Sequence, residues 1–381
     1  MTKWHLECSA CQGTAPGDAL ASVCPACGQP YLVRYDALPT SLAALRDRAD
    51  MWRYAAWLPL AAGEEPVSLG EGRTPLLAVP ALARALGVRT VYVKDEALNP
   101  TGSFKARGMS AAVTRARALA VPGLVVPTAG NAGAALAAYG AAAGIPVRVY
   151  APATTPEPIL ATIRAMGAEL VTVDGHIGDA GKAGRAFAAT SGYFDVSTLR
   201  EPYRIEGKKT LGLELAEQLG WRLPDVIVYP TGGGTGLIGM WKAFDELCTA
   251  GLLPAGERLP RMITAQADGC APIVRAFHDG ADHATPWEHP TTHASGLRVP
   301  GPLGDRLILR ALRASGGDAA AASEQAIRDA TAEMAHASGV DAAPEGGCAL
   351  AVARQLRQAG RLGANDDVVL FNTGSGASYR I

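Results

Sequence analysis

Short apolar, β-branched runs alternate along most of this chain with longer alanine-rich stretches. The runs fall at 91–93, 124–126, 147–150, 170–173, 226–229, 262–264 and 368–370. The alanine-rich stretches between them, at 103–120, 131–143, 207–219 and 236–250, have helical length. A run of three to five β-branched residues fits a buried strand, while a long run with alanine filler fits a helix. Strand–helix repetition with buried strands predicts an α/β architecture: mostly parallel sheets covered on both faces by helices. A polar connector at 40–56 reads as helical, and no repeat of fixed period appears.

The first 35 residues stand apart from this alternation. Cys8-x-x-Cys11 and Cys24-x-x-Cys27 lie twelve residues apart, each beside a turn-forming glycine, Gly13 or Gly28. A two-residue spacer lets a tight turn present two thiolates to one ion, and zinc takes four such ligands tetrahedrally. Residues 1–35 therefore read as a small zinc ribbon with Cys8, Cys11, Cys24 and Cys27 as ligands. His5 reads as a surface residue, because four thiolates complete the shell. Residues 36–381 read as one larger unit.

Composition narrows the function. Of 381 residues, 48% are hydrophobic and 19% charged, which fits a folded globular protein and not a disordered one. The formal net charge of -1 and the lack of a dense Lys/Arg block point away from nucleic acid and membrane surfaces. No apolar run reaches the roughly 18 residues of a membrane span. The opening residues lack the apolar core of a signal peptide, so a cytoplasmic location is expected. Cys248, Cys270 and Cys348 are scattered and read as incidental thiols.

Ligands of α/β folds gather where strands end and helices begin, and four such junctions carry unusual residues. In Asn99-Pro-Thr-Gly-Ser-Phe-Lys105, a tight loop delivers Lys105 into the first turn of a helix. The helix dipole there disfavours the ammonium and favours the neutral amine that a carbonyl cofactor needs. A solvated lysine is the commoner reading of that segment alone. Pro127-Thr-Ala-Gly-Asn-Ala-Gly133 offers backbone N–H groups for a carboxylate, with Asn131 as a plain N-cap the simpler reading. Thr231-Gly-Gly-Gly-Thr-Gly236 follows a strand and opens a helix, which suits a compact phosphate. Gly234-x-Gly236-x-x-Gly239, with Asp268 further on, also matches a dinucleotide fingerprint, so a nicotinamide enzyme competes here. Phe371-Asn-Thr-Gly-Ser-Gly376 places Thr373 and Ser375 after the last strand.

In this order and spacing, the four segments together with Glu71-Gly-Arg-Thr-Pro-Leu76 resemble the fold-type II pyridoxal-phosphate (PLP) enzymes of the tryptophan synthase β family. Within it they are most similar to the threonine synthase branch, some members of which carry a zinc-ribbon head. The resemblance covers nearly the whole chain. Residues 99–105 are its most specific part, the glycine loop is moderately specific and the tail is supportive.

The resemblance implies two lobes, each with a mostly parallel sheet, the smaller one (roughly 97–205) inserted in the larger. It implies that Lys105 carries PLP as a Schiff base and moves protons during catalysis. Asn131 would bond the cofactor's phenolic oxygen. Gly232, Gly233, Gly234, Thr235 and Gly236 would hold its phosphate, and Thr373 would face the pyridine nitrogen. A hydroxyl at that nitrogen leaves the ring a weaker electron sink, which suits elimination and replacement. Ser103, Thr128 and Gly130 would surround an amino-acid substrate, expected to be O-phospho-L-homoserine converted with water to L-threonine and phosphate. The family further implies a homodimer.

One departure is Ala106, where many threonine synthases carry Asp; an apolar residue there also occurs in threonine/serine dehydratase-like relatives. A dehydratase or a β-replacement synthase on serine-like substrates is therefore the alternative, and a non-catalytic protein with a partner-binding ribbon is a third reading. The cations for a substrate phosphate are left unassigned, with Arg73, Arg107, Arg164, Lys182, Arg204 and Lys208 as unranked candidates. The histidines beyond His5 show no ligand spacing.

Overall fold

The computed structural model describes residues 3–380. Met1, Thr2 and Ile381, at the outer limits of the two expected domains, lie outside the described residues. The described chain divides into two compact units. One takes the residues up to Arg73 and Asn99–Thr210; the other takes Thr74–Leu98 and Leu211–Arg380.

The first unit holds two sheets. Trp4–Cys8 pairs antiparallel with Thr14–Pro16 on one side and Tyr31–Tyr35 on the other. This small head packs Trp4, Leu6, Tyr31 and Val33 into one apolar cluster with Ala112 and Tyr203. The second sheet runs in the order Glu169–Val173, Val147–Pro152, Leu124–Pro127, Phe194–Asp195, all parallel. Helices Lys105–Ala118 and Asn131–Ala143 cover it through Met109, Val113, Leu136 and Tyr139.

The second unit is built on a six-stranded sheet. Its order is Asp318–Ala322, Arg261–Ala267, Val226–Pro230, Asp367–Asn372, Thr90–Asp95, Leu76–Ala78. All neighbours are parallel except the edge pair Leu76–Ala78 and Thr90–Asp95. The central strand Val226–Pro230 is buried at every position, which is why it reads as an unbroken apolar run and not as an alternating one. Helices Pro344–Gln358 and Glu324–Ser338 supply much of the remaining core.

Each apolar run expected to be a strand is one. The connector at 40–56 differs: it forms two short 3-10 helices, Leu42–Ala44 and Met51–Trp57, not an α-helix. Asp50 ends the first half of the connector by accepting from the Trp52 N–H at 3.0 Å, which fixes a tight turn where a longer helix would have to continue.

Candidate active site

Lys105 is the first residue of its helix, reached through a turn closed by Gly102 N–H on the Asn99 carbonyl at 2.8 Å. Gly102 has φ +67°, a left-handed conformation that glycine adopts freely. Ser103 is buried, and its hydroxyl accepts from the Lys105 N–H at 3.4 Å. Lys105 Nζ lies 4.2 Å from the centroid of the Phe104 ring. Lys105 is half-buried, so it is not the fully solvated lysine of the simpler reading.

In the same unit, the loop after strand Leu124–Pro127 is knotted by Thr128. Its hydroxyl donates to the Gly130 carbonyl at 2.8 Å and accepts from the N–H groups of Gly130 (3.0 Å) and Gly133 (3.3 Å). Gly133 has no room for a side chain, because a Cβ there would overlap the Thr128 methyl. The N-cap reading of Asn131 is corrected here. Gly130 is the cap residue, in extended backbone with no side-chain cap bond, and Asn131 is already the first helical residue. A side chain at that position leans away from the N–H groups a cap must reach, so its amide is left half-exposed at the strand's end.

In the second unit, Thr231 continues the sheet, with its N–H on the Ala265 carbonyl at 2.8 Å and its hydroxyl 3.2 Å from that of Thr264. The chain then turns through Gly232, Gly233 and Gly234 into helix Thr235–Thr249. Gly234 takes φ +72°. A Cβ at Gly232 would overlap the Gly296 carbonyl, and one at Gly236 would overlap the Tyr229 hydroxyl. Bare backbone is therefore required, and the first N–H groups of a 15-residue helix are presented at its positive end. These features suit one phosphate group.

Strand Asp367–Asn372 is the parallel neighbour of Val226–Pro230, so Thr373 leaves the same end of the sheet as the glycine loop. Thr373 is buried. Asn372 fixes its approach: the side-chain amide donates to Asp95 at 2.8 Å and accepts from the Ala343 N–H at 3.2 Å. Burial raises the pKa of Asp95, against the lowering effect of the Asn372 bond.

Sequence reasoning missed the braces behind these segments. Buried Glu345 accepts from the Gly296 N–H at 2.7 Å and from the Tyr379 hydroxyl, and Tyr379 also meets the Ser295 hydroxyl at 2.9 Å. This pins the 295–296 turn against Gly232. Burial, then the Glu345 charge, pushes the Tyr379 hydroxyl far above its ordinary range. The only sequence sign was Pro344-Glu345 opening a helix, which reads as ordinary N-terminal chemistry. Among the cations considered for a substrate phosphate, Arg107, Arg204 and Lys208 are buried. Arg107 donates to Thr210 at 3.2 Å, and Arg204 donates to the Val196 carbonyl at 2.7 Å. Arg164 and Lys182 are exposed and lie beside Glu157 and Asp179. Arg73 adopts φ +50°.

The head gathers its four cysteines, whose sulfurs all lie within 4.8 Å of one another. Neighbouring Sγ atoms are 3.4 Å apart for Cys8–Cys27 and 3.6 Å for Cys11–Cys24 and Cys11–Cys27. Tetrahedral zinc thiolate, with bonds of about 2.3 Å, spaces its sulfurs by about 3.8 Å, so this donor set fits such an ion. The left-handed residues of the two knuckles are Gln12 (φ 62°) and Gly28 (φ 71°). For Cys24, burial is outweighed by the N–H groups of Ala26 and Cys27 and by the thiols of Cys11 and Cys8, which hold its thiol down at about 6. Cys11 is favoured by the Gly13 N–H, but the other three thiols push it up to about 12. Four sulfurs this close do not all ionise without a cation among them.

The pyridoxal-phosphate dependent enzyme model matches residues 67–374. The threonine synthase of Methanosarcina acetivorans is 35% identical over 97% of this chain and 91% of its own length. That of Methanocaldococcus jannaschii is 34% identical over 97% of this chain and 92% of its own length. The chain belongs to the pyridoxal-phosphate dependent enzymes, in the threonine synthase family. Among solved structures, maize serine racemase superposes with a TM-score of 0.69 at 23% identity, covering 80% of this chain and 88% of that one. That likeness establishes the fold-type II architecture. PLP chemistry of the lyase type replaces the nicotinamide reading, and the non-catalytic reading falls with it.

Proposed function

We propose that the protein is a threonine synthase, converting O-phospho-L-homoserine and water to L-threonine and phosphate. The observation that carries this is 35% identity to a threonine synthase over 97% of the chain. PLP, when bound, withdraws electrons from the substrate's carbons and so makes protons on them removable. Lys105 would hold it covalently. Gly232, Gly233, Gly234, Thr235 and Gly236 would hold its phosphate on backbone N–H groups, Asn131 its phenolic oxygen, and Thr373 its ring nitrogen through the side-chain hydroxyl. Ser103, Thr128 and Gly130 would receive the substrate's carboxylate and orient its reacting carbons.

With the substrate in place, Lys105 Nζ would be the base that accepts the Cα proton and later returns one. A Cβ proton would be lost as phosphate departs from Cγ, Cγ would gain a proton and water would add at Cβ, so one mobile amine would serve several proton transfers. Position 106 does not argue for a dehydratase in this chain. Ala106 is fully buried in the apolar cluster with Met109 and Val113. A carboxylate there would be desolvated in that cluster, which is costly.

Cys8, Cys11, Cys24 and Cys27 would hold a structural zinc ion in a ribbon of residues 1–35. We take residues 36–381 as the catalytic unit, with roughly 97–205 as its smaller lobe. A cytoplasmic homodimer acting on a small amino acid, without nucleic-acid or membrane partners, completes the proposal. No helix among the described residues is long and apolar enough to cross a membrane.

The deciding experiment supplies O-phospho-L-homoserine to the purified protein and to Lys105→Ala. Equal amounts of phosphate and threonine, lost in the variant, are expected. Ammonia and a keto acid from serine or threonine, with no phosphate release, would overturn the assignment in favour of a dehydratase.

A further inference from the structure

A second lysine lies beside the segment that carries Lys105. Lys208, on helix Tyr203–Gln218, is 0% exposed, and its Nζ donates to the carbonyl of Phe104, the residue immediately before Lys105. The same Nζ lies 4.1 Å from the centroid of the Phe104 ring, and Lys105 Nζ lies 4.2 Å from that centroid. The two amines are therefore within roughly 8 Å of one another, close enough for like charges at a poorly solvated site to interact strongly. Gly108 is shaped by the same side chain: a Cβ there would come 2.9 Å from Lys208 Cε and 3.2 Å from its Nζ.

A fully buried lysine is uncommon and costly unless its charge is compensated. A carbonyl acceptor and an aromatic face are the partners that suit an ammonium. Several neighbouring charged groups have partners of their own. Arg107 bonds Thr210, Arg204 bonds the Val196 carbonyl, and Glu206 pairs with Lys209 at 2.7 Å and Tyr35 at 2.5 Å. Glu201 accepts from the N–H groups of Tyr203 (2.7 Å) and Arg204 (3.0 Å) at the start of helix Tyr203–Gln218.

We propose that Lys208 is a positioning residue for Lys105: it clamps the Phe104 carbonyl at the helix start, and its fixed positive charge disfavours protonation of the Lys105 nitrogen. The charge adds to that of the helix N-terminus, which acts in the same direction. Lys208 touches neither substrate nor cofactor in this role. It keeps the working amine in the form that can take a proton.

The inference rests on Lys105 carrying the cofactor, and the test separates the two. The visible absorption of the holoenzyme is titrated with pH for the parent, Lys208→Met, Lys208→Gln, Lys208→Arg and Lys105→Ala proteins. Removing the charge in Lys208→Met and Lys208→Gln is expected to move the inflection upward by about one unit, while Lys208→Arg stays near the parent. A curve for folded Lys208→Met that overlays the parent overturns the inference. Should that variant not fold, overlay of the Gln and Arg curves overturns it equally. If Lys105→Ala keeps the parent's lysine-bound spectrum, the carrier assignment itself fails, and that outcome is distinct from an unmoved Lys208 titration.

Discussion

The hydroxyl of Tyr229 occupies the space that any side chain at Gly236 would need. Tyr229 is itself fixed, buried and tilted against Phe371 with ring centroids 5.3 Å apart. Gly236→Ala is therefore expected to cost about 1–3 kcal/mol by overpacking and to lift the first helical turn away from a bound phosphate. Weaker PLP retention on gel filtration, together with a lowered melting temperature, checks this. Unchanged values for both would show that the close approach is not needed.

Asp50 gives a pH prediction with a definite sign. Its carboxylate accepts from Arg48 at 2.9 and 2.6 Å, from Ser68 at 2.8 Å and from the Trp52 N–H at 3.0 Å. Burial works to raise its pKa, but the Arg48 and Ser68 bonds outweigh it and hold the carboxyl below its ordinary value. A depressed carboxyl contributes stability that is present above its unfolded pKa and lost as pH falls through the folded one. Asp50→Asn is expected to cost about 1–2 kcal/mol at neutral pH. The difference from the parent should shrink in acid, as urea unfolding at several pH values would show; a difference independent of pH would contradict the assignment.

Much of the fold is legible in the sequence because its central strands are buried on both faces. Val226–Pro230 and Asp367–Asn372 could only be written as apolar, β-branched runs. The strand Asp318–Ala322 was illegible for the opposite reason. Its four alanines favour helix by intrinsic propensity, and pairing with Arg261–Ala267 makes it a strand. The candidate site was legible where chemistry needs special backbone, as at Gly232 and Gly236. It was illegible where a common residue acts through burial, since nothing local distinguishes Lys208 from a solvated helix lysine, or Glu345 from ordinary helix-start chemistry.

The head makes a prediction about metal. Its sulfurs are set for a tetrahedral ion, and its apolar contacts reach Tyr203, whose hydroxyl donates to the Gly17 carbonyl at 3.0 Å. Zinc content near one ion per chain is expected, falling to near zero in Cys24→Ser. Structural zinc supplies on the order of 10 kcal/mol to such small modules, so a strong chelator should unfold the head and expose Trp4. Tryptophan fluorescence during chelation measures it, and metal-free protein with unchanged fluorescence would refute it.

Asn372 and Asp95 make the last prediction, on how Thr373 is aimed. Asn372 is completely buried and uses both ends of its amide, donating to Asp95 and accepting from the Ala343 N–H. Asn372→Ala removes both bonds, leaving Asp95 Oδ1 to the Ala97 N–H and the Ala343 N–H to the Gly374 carbonyl, so a cost of about 0.5–1.5 kcal/mol for each lost bond is expected. Asn372→Asp should be worse as pH rises, because it sets a second carboxyl against one whose pKa burial already raises. The loss should therefore grow from mild acid toward neutrality, the same direction as for Asp50→Asn but through repulsion between two carboxylates and not through a lost ion pair. If Thr373 acts through the geometry this amide imposes, Thr373→Ala should keep the parent's stability, while both Asn372 variants lose stability and alter the visible spectrum of bound PLP. Full stability in Asn372→Ala would show that the strand exit is set by something other than this amide.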